Sequence, residues 1–527
     1  MKKNYNTNIS NADIKTVLIQ DINTSLRKII IRGQIERIIQ TGGPTIFFIS
    51  DGTGNFSIKG FIKPGERAHP EINESDMVQA TVEVGEFKGE IEGEIRSIKI
   101  MNESEMNDLK SSIKKVELER AKVTDVDFLV ETTILDKLKD RFMEAALQIR
   151  LAIIQNRPII IRHHNDCDGY SSGFALERAI VPLIIKQHNS VKAPWEFFQR
   201  APCQAPFYQI EDSIRDTANS LRNVAKFSNK MPLIIIADNG SCEEDLMGIK
   251  QAKVHGSDVI VIDHHGFEKD LISGEVLVHI NPFVVGESGS EICAGMLCVE
   301  LAGFINKDVE NILQIAAMSG YSDKIDIANP GVMEKYLAVA NKEGYSKQLL
   351  SEIALVLEFV STKVKFMEAR EYIEVLFGQP RDKQKELVSL MAPYIRELDR
   401  KGLAIGKASA VQEKFNDVTL QTIDIDKSFP GFGFFPKPGR AIGLVHDNYL
   451  KETGETAVIT VGIMKTAITI RATNDANFSV HDLRQYLLQK LPNAFIEGGG
   501  HKNAGALNFL PCRKDDVIRL LKVFIAK

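Results

Sequence analysis

PIIIRHHNDCDGYSSG, residues 158–173, decides the fold. Its first half is apolar and β-branched, the composition of a strand buried on both faces. Its second half crowds His163, His164, Asp166, Asp168 and Gly169 into seven residues, 163–169. Two readings fit that half. One is a metal site at the carboxyl end of a strand, and the other is a polar turn that caps the next helix.

The same pattern recurs downstream. PLIIIADNG (232–240) precedes EEDLMGIKQAKVHG, and DVIVIDHHG (258–266) precedes VLVHINPF and a helix expected from about 291. Continuous apolar strands separated by helical stretches predict parallel βαβ units. The strands end at Asp166 and Asp168, at Asp238, and at Asp263 with His264 and His265. Asp323, in AAMSGYSDK, follows a helix of small residues and is a fourth acidic position. Ligands of an open α/β sheet bind at the carboxyl ends of its strands, so these distant residues are expected to converge. Oxygen and imidazole donors without thiolates suit Mn²⁺ or Mg²⁺ better than structural zinc. So many carboxylates need compensating cations, and a pair of ions is the usual arrangement in phosphoester hydrolysis. Each motif alone reads equally well as a helix cap or a surface loop. Three strand ends and a fourth acid in order favour the metal site.

Upstream, IIIRGQIERIIQ, PTIFFISDGTG, FSIKGFIK, DMVQATVEVGEFKG and EIEGEIRSIKIM are short strands with turn residues between them, which predicts a small barrel over residues 1–105. Residues 106–156 carry apolar positions at helical spacing and form a helical connector. The parallel sheet spans 157–330, and 331–412 is a mostly helical insertion with nothing that looks catalytic, suited to assembly. Residues 413–527 mix strands (AVITVGIMK, TAITIRAT) with helices, which makes the whole chain α/β with several domains.

Composition is that of a soluble globular protein, with 44% hydrophobic and 26% charged residues and a net charge of −5. That balance gives no global attraction to nucleic acid, although a local basic groove with bound cations can override it. No apolar run reaches membrane-spanning length. The opening MKKNYNTNISNADIK lacks the apolar stretch of a secretory signal. Six scattered cysteines with no CxxC pair suggest reduced thiols in a cytoplasmic protein.

DHH at 263–265, DxD at 166–168 followed by Gly169, ADNGS at 237–241 and GGGHKNAGA at 498–506 together resemble the DHH phosphoesterase superfamily, in its DHHA1 branch with the RecJ single-strand exonucleases. The likeness covers about 157–330 for the DHH domain and 413–527 for the DHHA1 domain. It implies Asp166, Asp168, Asp238, Asp263 and Asp323 as ligands of two Mn²⁺ ions, with Mg²⁺ as the alternative. Of His264 and His265, it implies one, His264, on a metal and the other on the scissile phosphate, with Asp263 of the same motif catalytic. Many members place a histidine four residues before the first Asp of DxD, and here that position is Arg162. His164 resembles the archaeal pattern and takes its place as a ligand. Asn281 and Ser290 either orient ligands or serve as turn and cap residues.

In the second domain the likeness implies that Gly499, Gly500 and His501 bind substrate across a cleft, with Arg471 as a basic partner. A glycine run lets backbone approach a phosphate closely, and it is also a common turn. FPGFGFFPKPGR (429–440), with Lys437 and Arg440, is either a base-stacking loop at the cleft or packed core. The barrel resembles a nucleic-acid-binding OB-fold, with Phe48, Phe56, Phe61, Arg32, Lys59 and Lys63 as candidates for its binding face. Strand alternation allows only one of Phe47 and Phe48 there.

The resemblance implies a metal-dependent exonuclease that degrades single-stranded DNA or RNA to mononucleotides, with polarity leaning 3′→5′. The alternatives are a phosphodiesterase of short oligonucleotides or dinucleotides, and a non-catalytic replication or repair scaffold. Implied partners are single-stranded nucleic acid, a replication or repair protein such as a Hef-type helicase or GINS, and a further copy of the chain, with no membrane.

Overall fold

The computed structural model describes residues 15–527 apart from 88, 125, 228–229, 365–368 and 431–433, and leaves out the side chains of residues 90, 226, 227 and 501. Strands β1 (Lys28–Gln40), β2 (Thr45–Ser50), β3 (Asn55–Gly60), β4 (Met77–Phe87) and β5 (Glu90–Ile100) close into a barrel in the order β1-β2-β3-β5-β4. That order is the OB arrangement. Alternation sends Ile29, Ile31, Ile35, Phe47, Ile49, Phe56 and Ile58 into the barrel core. Phe56 is therefore core and leaves the set of binding-face candidates. Phe48 is half-buried beneath the Arg37 guanidinium, 5.7 Å from the ring centre.

Helices α1 (Glu103–Ala121) and α2 (Thr133–Ile154) lead into β6 (Ile159–His163), α3 (Cys167–His188), α4 (Pro194–Phe197), β7 (Phe198–Pro202), α5 (Ile210–Phe227), β8 (Leu233–Ala237), α6 (Leu246–Val254), β9 (Asp258–Ile262) and β10 (Val278–Ile280). The five strands form one sheet in the order β10-β9-β8-β6-β7, parallel at every pair. Every residue of β6 and β8 is buried, as continuous isoleucine runs require. Edge strand β7 and helix α5 went unrecognised in sequence, because FFQRAP lacks a long apolar run.

Contacts between the barrel and the sheet domain fall at the amino ends of the strands. Asn55 bonds Asn156 just before β6, and Glu36 accepts from Lys230 just before β8. Arg37 pairs with Glu196 at 2.5 Å, just before β7.

Helices α7 (Ala294–Ile305), α8 (Leu313–Ser322), α9 (Ile325–Ala328), α10 (Pro330–Lys342), α11 (Lys347–Val364), α12 (Arg370–Leu376) and α13 (Arg381–Ser409) follow. Leu350, Ile353, Leu357, Val388 and Ile395 of α11 and α13 belong to the same hydrophobic core as β6 and α3, so these helices pack on the sheet domain. A second sheet in the order β11-β12-β13-β14-β16-β15 closes the chain. It comprises β11 (Val411–Phe415), β12 (Val418–Asp424), β13 (Val458–Ile463), β14 (Ala467–Ala472), β15 (Glu497–His501) and β16 (Ala504–Asn508), with only β12 and β13 parallel. Helices α14 (Ile425–Ser428), α15 (Pro438–Thr453), α16 (Val480–Lys490) and α17 (Lys514–Ile525) complete that half. Among the described residues no helix is long and apolar enough to cross a membrane.

Two local expectations change. Helix α3 begins at Cys167, inside the polar stretch, because Asp166 caps it by accepting from the Gly169 amide at 2.9 Å. The GGG stretch, read as a loop, is edge strand β15. Gly498 and Gly500 hold φ of 115° and 132°, and a Cβ on Gly498 would lie 2.3 Å from the Ala506 carbonyl oxygen.

A carboxylate cluster facing a glycine strand

The ends of β6, β8 and β9 bring the expected residues together. Asp238 lies at the centre, 1% exposed, with φ of 59°, a left-handed conformation that Asp tolerates better than most residues. Its Oδ2 faces His164 Nδ1 at 3.6 Å and its Oδ1 faces His264 Nε2 at 3.5 Å. His164 Nδ1 also lies 3.0 Å from Asp166 Oδ2, and His264 Nε2 lies 3.3 Å from Asp323 Oδ2 and 3.7 Å from Asp168 Oδ2. Three clusters thus have metal-ligand spacing: His164, Asp166 and Asp238; Asp168, His264 and Asp323; and Asp238, His264 and His265.

The surroundings fix each ligand. Asp168 accepts from the amides of Ala294 (3.0 Å) and Gly295 (2.7 Å) at the start of α7, and from the Ser319 hydroxyl. His264 Nδ1 bonds the Gly289 carbonyl oxygen at 2.9 Å, so the geometry directs Nε2 to the carboxylates, the usual outer support of a metal-binding imidazole. Of the two roles open to Ser290, the structure shows a local one, its hydroxyl bonding Ser288, while its neighbour Gly289 supports His264. Asn281 donates to Ser241 Oγ (2.9 Å) and to the His265 carbonyl oxygen (3.0 Å), tying the β8 and β9 loops together.

His163 and His164 separate cleanly. His163 is fully buried between the His164 carbonyl oxygen (2.7 Å) and Arg200 (3.2 Å), and burial together with Arg200 pushes it down to about 3. Arg162 is buried against Asp216. His164 alone enters the cluster. Gly169 lets the loop close, since a Cβ there would lie 2.1 Å from the His164 carbonyl oxygen. Gly169→Ala is expected to cost about 1–3 kcal/mol, as overpacked sites do, and to lower Mn²⁺ affinity by displacing His164, both read from melting curves with and without Mn²⁺.

Asp263 departs from the expectation that it is a ligand. It belongs to none of the three clusters among the described residues. Oδ1 accepts from the amides of His264 (2.8 Å) and His265 (3.2 Å) and from His265 Nδ1 (2.8 Å), and Oδ2 accepts from the Ser241 amide (3.2 Å). Burial opposes its ionisation, but His265, His264 and the Ser241 bond outweigh it and hold the carboxyl well below the usual range. Its acceptor capacity is spent on backbone and ring, which makes it a positioning residue for His264 and His265.

The donors fit divalent cations. Both Asp238 oxygens are buried without a well-directed hydrogen bond. Burial and the neighbouring Asp238 raise Asp168 to about 7, and burial with Asp168 raises Asp323 well above the carboxylate range. Buried negative charge left this short of partners calls for cations.

A cleft of about 860 Å³ separates this cluster from the second sheet. Gly498, Gly499, Gly500 and Arg471 line the far wall, as expected, while the His501 side chain lies outside the described atoms. Helix α11 adds wall residues that no motif in the sequence singles out, beside Lys437 and Arg440 from the 429–440 stretch. Glu358 of α11 pairs with Lys437 at 2.5 Å, and both line the cleft with Asp166. The helical stretch therefore supplies part of the cleft wall as well as packing on the sheet domain. Glu358 carried no signal, standing in an ordinary amphipathic helix. In FPGFGFFPKPGR, Phe429 and Phe435 are buried in the core, which rules these two out as stacking residues, and Arg440 lines the cleft paired with Asp399; residues 431–433 lie outside the described set.

Known proteins resemble this chain in sequence and fold. The pattern described as "DHH family, N-terminal domain" matches residues 158–320. An uncharacterized protein of Methanocaldococcus jannaschii is 34% identical over 516 residues, covering 93% of this chain and 67% of that one. A solved DHH-domain structure, described as coming from a member of a family of ribosomal proteins, is 33% identical with a TM-score of 0.76, covering 81% of this chain and 99% of that chain. A structure of exonuclease RecJ bound to manganese shares the fold at 16% identity and a TM-score of 0.50, covering 76% of this chain and 97% of that chain.

Proposed function

The chain belongs to the DHH family of phosphoesterases, and on that premise we propose that it is a divalent-metal-dependent exonuclease that hydrolyses single-stranded nucleic acid from one end, with 3′→5′ polarity. One observation carries the reading: Asp238 offers one oxygen to each of two His/Asp clusters, as a carboxylate shared between two ions would. His164 and Asp166 would then hold one ion, and Asp168, His264 and Asp323 would hold the other. A pair of Mn²⁺ or Mg²⁺ ions bound there supplies an acidified water and polarises the phosphodiester.

The chain's own residues do the rest. Asp263 orients His265, which lines the cleft where the scissile phosphate would lie. Arg471 and the backbone of Gly499 and Gly500 face it from the second sheet and hold the terminal nucleotide. Closure of the cleft by two domains favours a chain end over an internal segment. The cleft would also admit a dinucleotide, which keeps the short-substrate reading as the alternative.

The test uses Mn²⁺ and two thirty-nucleotide strands, one labelled at each end. Immediate release of the 3′ label as a mononucleotide, with a shrinking ladder from the 5′-labelled strand, is expected. Cleavage of a dinucleotide with both strands intact would replace this reading with the alternative.

A further inference from the structure

His279 stands in the middle of β10, between two core residues. Val278 and Ile280 point into the main core, and alternation turns His279 to the other face of the sheet. The residue is 1% exposed, yet both ring nitrogens have partners: Nε2 lies 2.9 Å from the Ser241 hydroxyl and Nδ1 lies 2.9 Å from the Ser273 hydroxyl. An apolar side chain would fill this strand position without burying an imidazole and two hydroxyls together.

The bonds around the ring fix its protons. Asn281 Oδ1 accepts from the Phe283 amide at 2.9 Å, so Nδ2 is the end that faces Ser241 and donates to its hydroxyl. Ser241 then gives its own proton to its other bonded partner, His279 Nε2. A ring that accepts at Nε2 keeps its proton on Nδ1 and donates there to Ser273. At the far end the ionised Asp270 can only accept. Burial opposes its charge, but the hydroxyl and amide of Ser273 outweigh that and hold it below the usual carboxylate range. Both ends call for the same direction, from Asn281 through Ser241, His279 and Ser273 to Asp270. The ring is neutral, as this chain requires: burial pushes it down to about 4 against the pull of Asp263 and Asp270, and Arg141 adds to the push.

Ser241 carries the chain to the cluster. Its amide donates to Asp263 Oδ2 at 3.2 Å, while Asp263 Oδ1 holds the His265 ring and the amides of His264 and His265. Asn281, bonded to the same hydroxyl, holds the His265 carbonyl oxygen. We infer that His279 is a positioning residue for hydrolysis, an Nδ1–H imidazole that fixes Ser241 and, through it, the Asp263–His265 pair. This rests on the metal-dependent hydrolysis proposed above, whichever length of substrate it takes. His279 does not line the cleft and belongs to none of the three His/Asp clusters among the described residues, so its loss should slow the reaction and spare substrate and metal binding.

The experiment compares kcat, KM and Mn²⁺ Kd of the full chain with those of His279→Leu, His279→Gln, Ser241→Ala and the Ser241→Ala/His279→Leu double variant. The substrate is whichever of the thirty-nucleotide strand and the dinucleotide the unaltered chain cleaves. Loss of an outer support of this kind costs about tenfold or more, so His279→Leu should lower kcat by that factor with KM and Mn²⁺ Kd held. Gln offers an amide oxygen in place of Nε2 and should recover most of the lost rate. The double variant should be no slower than the slower single one, because both changes cut the same chain. Nitrogen NMR of the histidine-labelled, metal-free chain should show an Nδ1–H tautomer in the signal that disappears in His279→Gln. Unchanged kcat in His279→Leu, a Gln variant no faster than the Leu one, losses that multiply in the double variant, or an Nε2–H ring would each overturn the inference and leave the proposed function standing. Hydrolysis of neither substrate by the unaltered chain would overturn that function, and the positioning role with it.

Discussion

Asp238→Asn is expected to abolish Mn²⁺-dependent hydrolysis, by at least about 10³-fold, the upper end of what loss of one preorganised electrostatic group costs. The reason is its double role. Its two oxygens face His164 and His264 in different clusters, so an amide weakens both sites at once. The effect on the metal-free protein should be small. Asp238 accepts no well-directed hydrogen bond, and its repulsion by Asp168 opposes its attraction to the two histidines. Metal binding should stabilise the unaltered chain by about 2.7 kcal/mol at a hundred times Kd, and the variant should lose that gain. Calorimetric titration with Mn²⁺, beside melting curves with and without the ion, reads both quantities. Unaltered Mn²⁺ affinity in the variant would remove Asp238 from the centre of the site.

What was legible in the sequence was whatever one strand and its end could show. Isoleucine runs ending in Asp166, Asp238 and Asp263 announced a parallel sheet, and the sheet's topology carried those residues to one edge. The role of Asp263 was not legible, because it depends on where the Ser241 amide arrives from a different strand end. Likewise HHND could not say which histidine turns outward. His163 still follows the strand register into the core beside Arg200, and only the turn after it releases His164. Glu358 and Lys437 meet across the cleft from segments far apart in sequence, neither with a motif around the other. The barrel was readable from alternation in IIIRGQIERIIQ and PTIFFISDGTG, but its seat at the amino edge rests on single side chains such as Asn55 and Arg37.

Asp263→Ala separates positioning from coordination. The substitution removes the acceptor of three backbone amides and one imidazole, all in a buried setting, and leaves the Ser241, His264 and His265 amides without that partner. Breaking a buried charged network by removing one member costs about 3–5 kcal/mol, so the metal-free chain should melt markedly lower, unlike Asp238→Asn. Hydrolysis should disappear as well, because His265 loses the bond that orients it toward the cleft. Mn²⁺ binding should weaken yet stay measurable, since His164, Asp166 and Asp238 remain, as do Asp168 and Asp323. Strand binding in the cleft should persist, because Arg471 and the β15 backbone stand on the other wall. The two variants therefore predict opposite pairings: lost metal with a retained fold for Asp238→Asn, and retained metal with a weakened fold for Asp263→Ala. If Asp263→Ala instead abolished Mn²⁺ binding without lowering the metal-free melting temperature, its carboxylate would be a ligand and the hydrogen bonds it makes here would be incidental.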